Sequence, residues 1–151
     1  MTVLQRVTNW VLRRVFQTIC RIDRAELSKV PMQGPVIIVG NHINFLEVPV
    51  LMPHLEPRPV TALAKRESWR NPLFNYLFKQ WGLIPIDRGV VDREAFRLCI
   101  EALEQGKLLA VSPEGTRSKD GQLLQGKPGV VALALRSGAP LLPAAFYGYE
   151  D

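Results

Sequence analysis

The sequence predicts an α/β protein: a mixed central β-sheet with helices on both faces, led by an amphipathic helix at the amino terminus. Three observations predict it. Short apolar runs of strand length, such as Val36–Val39 and Leu108–Val111, alternate with stretches of helical periodicity. Glycine and proline punctuate the junctions between them. A content of 47% hydrophobic and 22% charged residues suits a packed core and not disorder. Strands that alternate with helices place those helices over a sheet. A length of 151 residues holds one such domain.

The elements follow in chain order. Val3, Leu4, Val7, Trp10, Val11, Val15 and Ile19 recur at three- and four-residue steps, one broad face of a helix, with Arg6, Asn9, Arg13 and Gln17 on the other side. Such a helix fits a bilayer interface or a packed position on its own domain equally well. After the Gly34-Pro35 turn, Val36–Val39 reads as a buried strand running into Asn41-His42. A short helix is expected over Phe45–Leu51, a loop from Pro53 to Pro59 and a strand over Thr61–Ala64. Asn71 caps, and Pro72 opens, a helix through about Gln80. Leu83–Ile86 is extended. Asp92 to Gln105 is the clearest helix, with Ala95, Phe96, Cys99, Ile100 and Leu103 on one face, Asp92 as cap and Gly106 as stop. Leu108–Val111 is the next strand, Val130–Leu135 a short helix and Leu141–Phe146 a last strand. Tyr149-Glu150-Asp151 follow that strand with no closing element, so the domain, expected over 23–151, is expected to be truncated at its carboxyl end.

Charge and cysteine content narrow the function. Net charge is +5, and residues 1–22 carry Arg6, Arg13, Arg14 and Arg21 with no acid, so the remainder is close to neutral. A basic field for nucleic acid is therefore not expected. Cys20 and Cys99 stand alone, without CxxC pairing or histidines at ligand spacing, which suits a reducing compartment and predicts no metal. No apolar run approaches the roughly 18 residues that span a bilayer. Arginines interrupt the amino-terminal apolar residues, unlike a signal peptide. The expectation is a protein that lies on the cytoplasmic face of a membrane (peripheral and monotopic) without crossing it.

Three segments carry chemistry. Asn41-His42-Ile43-Asn44-Phe45-Leu46-Glu47 follows a strand, and α/β sheets bind ligands beyond the carboxyl ends of their strands. An imidazole accepts protons readily at neutral pH, and a carboxylate on its second nitrogen, here Glu47, would fix its tautomer. Taken alone, His42 also fits a structural histidine in a turn. In Glu114-Gly115-Thr116-Arg117-Ser118, Gly115 allows close backbone approach, hydroxyls and free amides form an anion-binding concavity, and Arg117 adds charge. A solvated turn is its plain alternative. In Gly82 through Arg88, the Arg88 fork ends an apolar stretch and suits a phosphate, although arginines at such places are mostly surface. Lys65, at the end of Thr61–Ala64, is a similar strand-end cation with the same alternative.

In order and spacing these segments resemble the glycerolipid acyltransferase family, which contains the 1-acyl-glycerol-3-phosphate acyltransferases. Asn41-His42 resembles the start of its first block, NHxxxxD, and Gly82 through Arg88 its second. Pro113 through Ser118 matches its PEGTRS block, and Leu141-Leu142-Pro143-Ala144-Ala145 resembles its fourth. Ala64-Lys65-Arg66-Glu67-Ser68 also resembles the stretch between the first two. The likeness runs from about residue 25 to the end of the chain. It implies that His42 is the general base on an acceptor hydroxyl. It implies that Arg88, Glu114, Gly115 and Arg117 hold the acceptor's phosphate end, directly or by shaping the loop, with Lys65 and Thr116 beside them. It implies an acyl-CoA or acyl carrier protein donor as co-substrate, a lysophospholipid acceptor such as lysophosphatidic acid, no cofactor or metal, no acyl-enzyme, and a membrane-docking role for residues 1–22.

One position departs from the family pattern. The first block ends in Asp, and Glu47 stands there. One extra methylene displaces a carboxylate by about 1.5 Å, and misplacements near 1 Å can cost about 10² in rate. Either the site is built around glutamate or the chain is a weakened or silent lipid-binding module; shortening Glu47 to Asp is expected to keep or raise activity. Other acceptors on the same fold (glycerol 3-phosphate, an ornithine lipid, a glycolipid) form the nearer alternative. A thioester hydrolase fits less well, since no serine or cysteine sits in a nucleophile elbow.

Overall fold

The structure, a computed structural model, describes residues 2–23, 25–118 and 120–147. The expected chain end at Tyr149-Glu150-Asp151 lies outside them. Five strands, β1 (Val36–Gly40), β2 (Val60–Lys65), β3 (Ile84–Ile86), β4 (Leu108–Val111) and β5 (Leu141–Ala144), form one sheet in the order β3-β2-β4-β1-β5. Every pairing is parallel, so the sheet is uniform in direction where a mixed one was expected. The reason lies in the connections. Each of the first four strands is followed by a helix that carries the chain back for the next parallel strand: α2 (Glu47–His54), α3 (Pro72–Trp81), α4 (Arg93–Glu104) and α5 (Gly129–Ser137).

Alternation within the strands divides the core between the two faces. Ile37, Leu109, Val111 and Ile84 pack against Ala95, Cys99 and Leu103 of α4 and Leu133 of α5. On the opposite face Ala62 and Ala64 meet Met52, Leu77 and Trp81, while Val36, Ile38 and Leu108 meet Leu55. Strands buried on both sides read as continuous apolar runs, and β1 and β4 do so. Full burial of each Leu or Ile contributes about 1.5–3 kcal/mol.

Element boundaries shift by a few residues. The α2 helix starts at Glu47 and runs through Pro53 to His54, two residues later at its start and three at its end than expected. Asn71 caps α3 through its side chain, accepting from Leu73 and Phe74 amides at 3.0 and 3.2 Å. Asp92 caps α4 by accepting from the Ala95 amide at 2.9 Å, as expected. Two 3-10 segments, Ala25–Lys29 and Arg66–Arg70, were not anticipated.

The first helix, α1 (Val3–Ile19), opens with a Thr2–Gln5 capping box. Its orientation reverses that of a core helix. Asn9 and Phe16 are buried, and the Asn9 carbonyl accepts from the Trp81 indole at 2.9 Å. Arg13 pairs with Glu56 at 2.7 Å. The apolar stripe faces away from the domain: Val3 is 78%, Trp10 54% and Ile19 68% exposed. No helix among the described residues is long and apolar enough to cross a membrane.

Candidate active site

In a parallel sheet all carboxyl ends share one edge, so the loops after β1, β3 and β4 meet there. His42 lies two residues past β1. Its Nδ1 is 2.8 Å from Glu47 Oε2. The other oxygen of Glu47 accepts from the Ile43 and Asn44 amides at 2.5 and 2.7 Å. As the first residue of α2, Glu47 turns back over its own loop, and its extra methylene supplies the reach. Both carboxylate oxygens are occupied, and the residue is 6% exposed.

The loop after β4 holds His42 from both backbone sides. The His42 amide donates to Glu114 Oε1 at 3.0 Å, and the Ser118 amide donates to the His42 carbonyl at 2.8 Å. Glu114, also buried, accepts the Leu124 amide on its second oxygen at 3.0 Å. Of the two roles open to Glu114, shaping the loop is the one its bonds perform.

The imidazole and Glu47 lie on the wall of a cavity of about 610 Å³, within the range of small-molecule sites. Its lining comes from both faces of the sheet: Ile38, Ala62 and Met52 from one, Phe96, Cys99 and Leu133 from the other. Arg88 and Gly115 line it too. Partial burial, and then the nearby Arg117 guanidinium, hold Arg88 below the ordinary arginine value. Arginine remains charged at neutral pH all the same, so Arg88 on the wall has a like-charged neighbour in Arg117, which is exposed and not itself part of the wall. Such repulsion suits an anion between them.

Of the expected ligands, Lys65, Glu114, Thr116 and Arg117 are not brought to the wall. Lys65 is exposed and pairs with Glu67 at 3.5 Å, and Thr116 is exposed on its loop. Lys65 ends β2, and Thr116 lies in the loop beyond β4.

Burial pushes the Cys99 thiol up to about 12, with Asp92 adding to the shift. This wall thiol stays protonated at neutral pH and serves as apolar lining, not as a nucleophile. No cluster of His, Cys, Asp or Glu fit to hold a metal occurs among the described residues.

Several residues have roles that the sequence reading did not assign. Asn41 exchanges two hydrogen bonds with the Phe146 backbone, at 2.8 and 2.7 Å, and so braces the His42 loop against the chain beyond β5. A side chain on Gly40 would collide with the Phe146 ring at 2.5 Å. Arg66 clamps Asp87 at 2.9 Å and fixes the loop bearing Arg88. Lys127 lines the cavity; its place in a Gly126-Lys127-Pro128-Gly129 turn was the available signal.

The sequence profile of a family described as Acyltransferase matches residues 21–147. The 1-acyl-sn-glycerol-3-phosphate acyltransferase of Borreliella burgdorferi is 30% identical over 126 residues, covering 82% of this chain and 50% of that protein. The lyso-ornithine lipid O-acyltransferase of Pseudomonas aeruginosa is 30% identical over 148 residues, covering 97% of this chain and 55% of that one. The chain thus spans about half the length of these relatives. The crystal structure of the 1-acyl-sn-glycerophosphate acyltransferase PlsC from Thermotoga maritima superposes with a TM-score of 0.62 at 22% identity, over 93% of this chain and 72% of that one. That likeness shows the fold.

Proposed function

Because the chain belongs to the acyltransferase family, we propose that it moves a fatty-acyl group from a thioester donor to the hydroxyl of a lysophospholipid, with lysophosphatidic acid as the leading acceptor. The observation that carries this reading is a carboxylate-bound imidazole on the wall of a largely apolar cavity that also bears Arg88.

Glu47 accepts from His42 Nδ1, which leaves the Nε2 lone pair free to act as base. Nε2 takes the proton of the acceptor hydroxyl as its oxygen attacks the thioester carbonyl. The tetrahedral adduct collapses, the carbon–sulfur bond breaks, and the departing thiolate recovers the proton from the imidazolium. Glu47 stabilises that imidazolium while it exists. Coenzyme A or acyl carrier protein is the donor this scheme accommodates. Arg88 and Arg117 face the acceptor phosphate, and the apolar wall receives the acyl chain. The outward stripe of α1 rests on the membrane, where basic residues near anionic lipid add about 1 kcal/mol each.

The decisive test follows free thiol released from acyl-CoA, with and without lysophosphatidic acid. Wild type should release thiol only with the acceptor, and His42→Ala should abolish this while circular dichroism stays unchanged. Normal turnover by His42→Ala rejects the mechanism, and release without acceptor favours a hydrolase. Lyso-ornithine lipid as a second acceptor distinguishes the phosphate-bearing class from its neighbour.

A further inference from the structure

The ionisable groups on the cavity wall sort by partner. Glu47 binds His42, and Asp87 and Asp92 both face Arg66. Arg88, Arg93 and Lys127 form no ion pair among the described residues. Lys127 differs from the other two in its placement. Its amide donates to the Pro113 carbonyl at 2.8 Å, which fixes its backbone beside the loop that holds His42. Its aliphatic arm then lies across Gly115. A Cβ at Gly115 would stand 3.3, 3.2 and 3.1 Å from Lys127 Cδ, Cε and Nζ. Gly115 also has a φ of +67°, so both its backbone and its missing side chain serve this passage. Lys127 is exposed, as Arg88 and Arg93 are, and what sets it apart is the course of its arm along this loop.

We propose that Lys127 is a substrate-phosphate ligand, its ammonium passing over Gly115 to the anion that Arg88 and Arg117 face. This rests on the reading above that a substrate presents a phosphate at this mouth. It assigns a third cation to the site and gives Gly115 a specific purpose, which is to leave space for the lysine arm. Phosphate groups occur on both the acceptor and coenzyme A, and the experiment separates them.

Full-chain Lys127→Met and Lys127→Arg are compared with wild type. Each is assayed with one acyl-CoA against lysophosphatidic acid and against phosphate-free monoacylglycerol. Glycerol 3-phosphate and coenzyme A are also titrated separately by calorimetry. For Lys127→Met, the kcat/KM ratio of phosphate-bearing to phosphate-free acceptor should fall about ten- to a hundredfold, the range of a charged hydrogen bond. The loss should appear in KM, and Lys127→Arg should recover most of it. A raised acceptor KM assigns the contact to the acceptor's phosphate, and a raised acyl-CoA KM to the donor's. Unchanged KM values together with unchanged phosphate binding overturn the proposal. A wild-type chain that turns over neither acceptor, yet loses phosphate binding in Lys127→Met, rejects the transferase reading and keeps the role of Lys127.

Discussion

Glu47 reaches His42 Nδ1 with one oxygen and two backbone amides with the other, at 2.8, 2.5 and 2.7 Å. Shortening the arm by one methylene withdraws the carboxylate by about 1.5 Å, enough to break at least one of these bonds. The geometry therefore reverses the expectation drawn from sequence alone. Glu47→Asp should lower turnover by about tenfold or more, measured as acceptor-dependent thiol release, and activity equal to wild type would show that the loop adapts. The His42–Glu47 hydrogen bond was legible because His42 comes just after a strand and Glu47 lies five residues away. Lys127 was not. Its meaning depends on Gly115, twelve positions earlier and in another part of the loop, and spacing carries no record of which arm crosses which backbone. Glu114 was legible as important, but two acceptor bonds to backbone amides cannot be told from phosphate contact without coordinates.

At the scale of the element, periodicity identified which residues of α1 share a face but not where that face points. Asn9, whose carbonyl meets Trp81, and the Arg13–Glu56 pair turn the polar flank inward. Val7 and Val11 are exposed as a result. Val7→Asp/Val11→Asp should leave the thermal midpoint unchanged and lower affinity for anionic vesicles at least tenfold, as read by co-sedimentation. Undiminished vesicle binding would remove α1 from the membrane contact. The α4 cap makes a different prediction. The Ala95 and Asp87 amides, each donating to Asp92, hold its carboxyl below the ordinary value of 3.8. A depressed carboxylate stabilises the fold fully above that ordinary value, and the contribution fades as pH falls through the lower folded value. Asp92→Ala should cost about 1 kcal/mol at neutral pH, and the deficit should shrink toward acid in denaturant titrations.

For the whole molecule, strand and helix alternation predicted the layers well, because burial on both faces writes apolar runs directly into β1 and β4. Strand order was not legible, since β1 lies between β4 and β5, its partners over 70 and 100 residues away by register. Local pattern says what a segment is, and only packing decides its neighbour. The membrane contact proposed for the outward stripe of α1 has a kinetic corollary. A catalyst fastened to a bilayer searches for its acceptor in two dimensions. Its velocity should track the mole fraction of lysolipid in the surface and not the bulk amount. Diluting the acceptor with inert phospholipid, at constant total acceptor, should slow the reaction in proportion. Adding more vesicles of unchanged composition should leave a saturated rate where it was. An enzyme that drew its acceptor from solution would show neither behaviour.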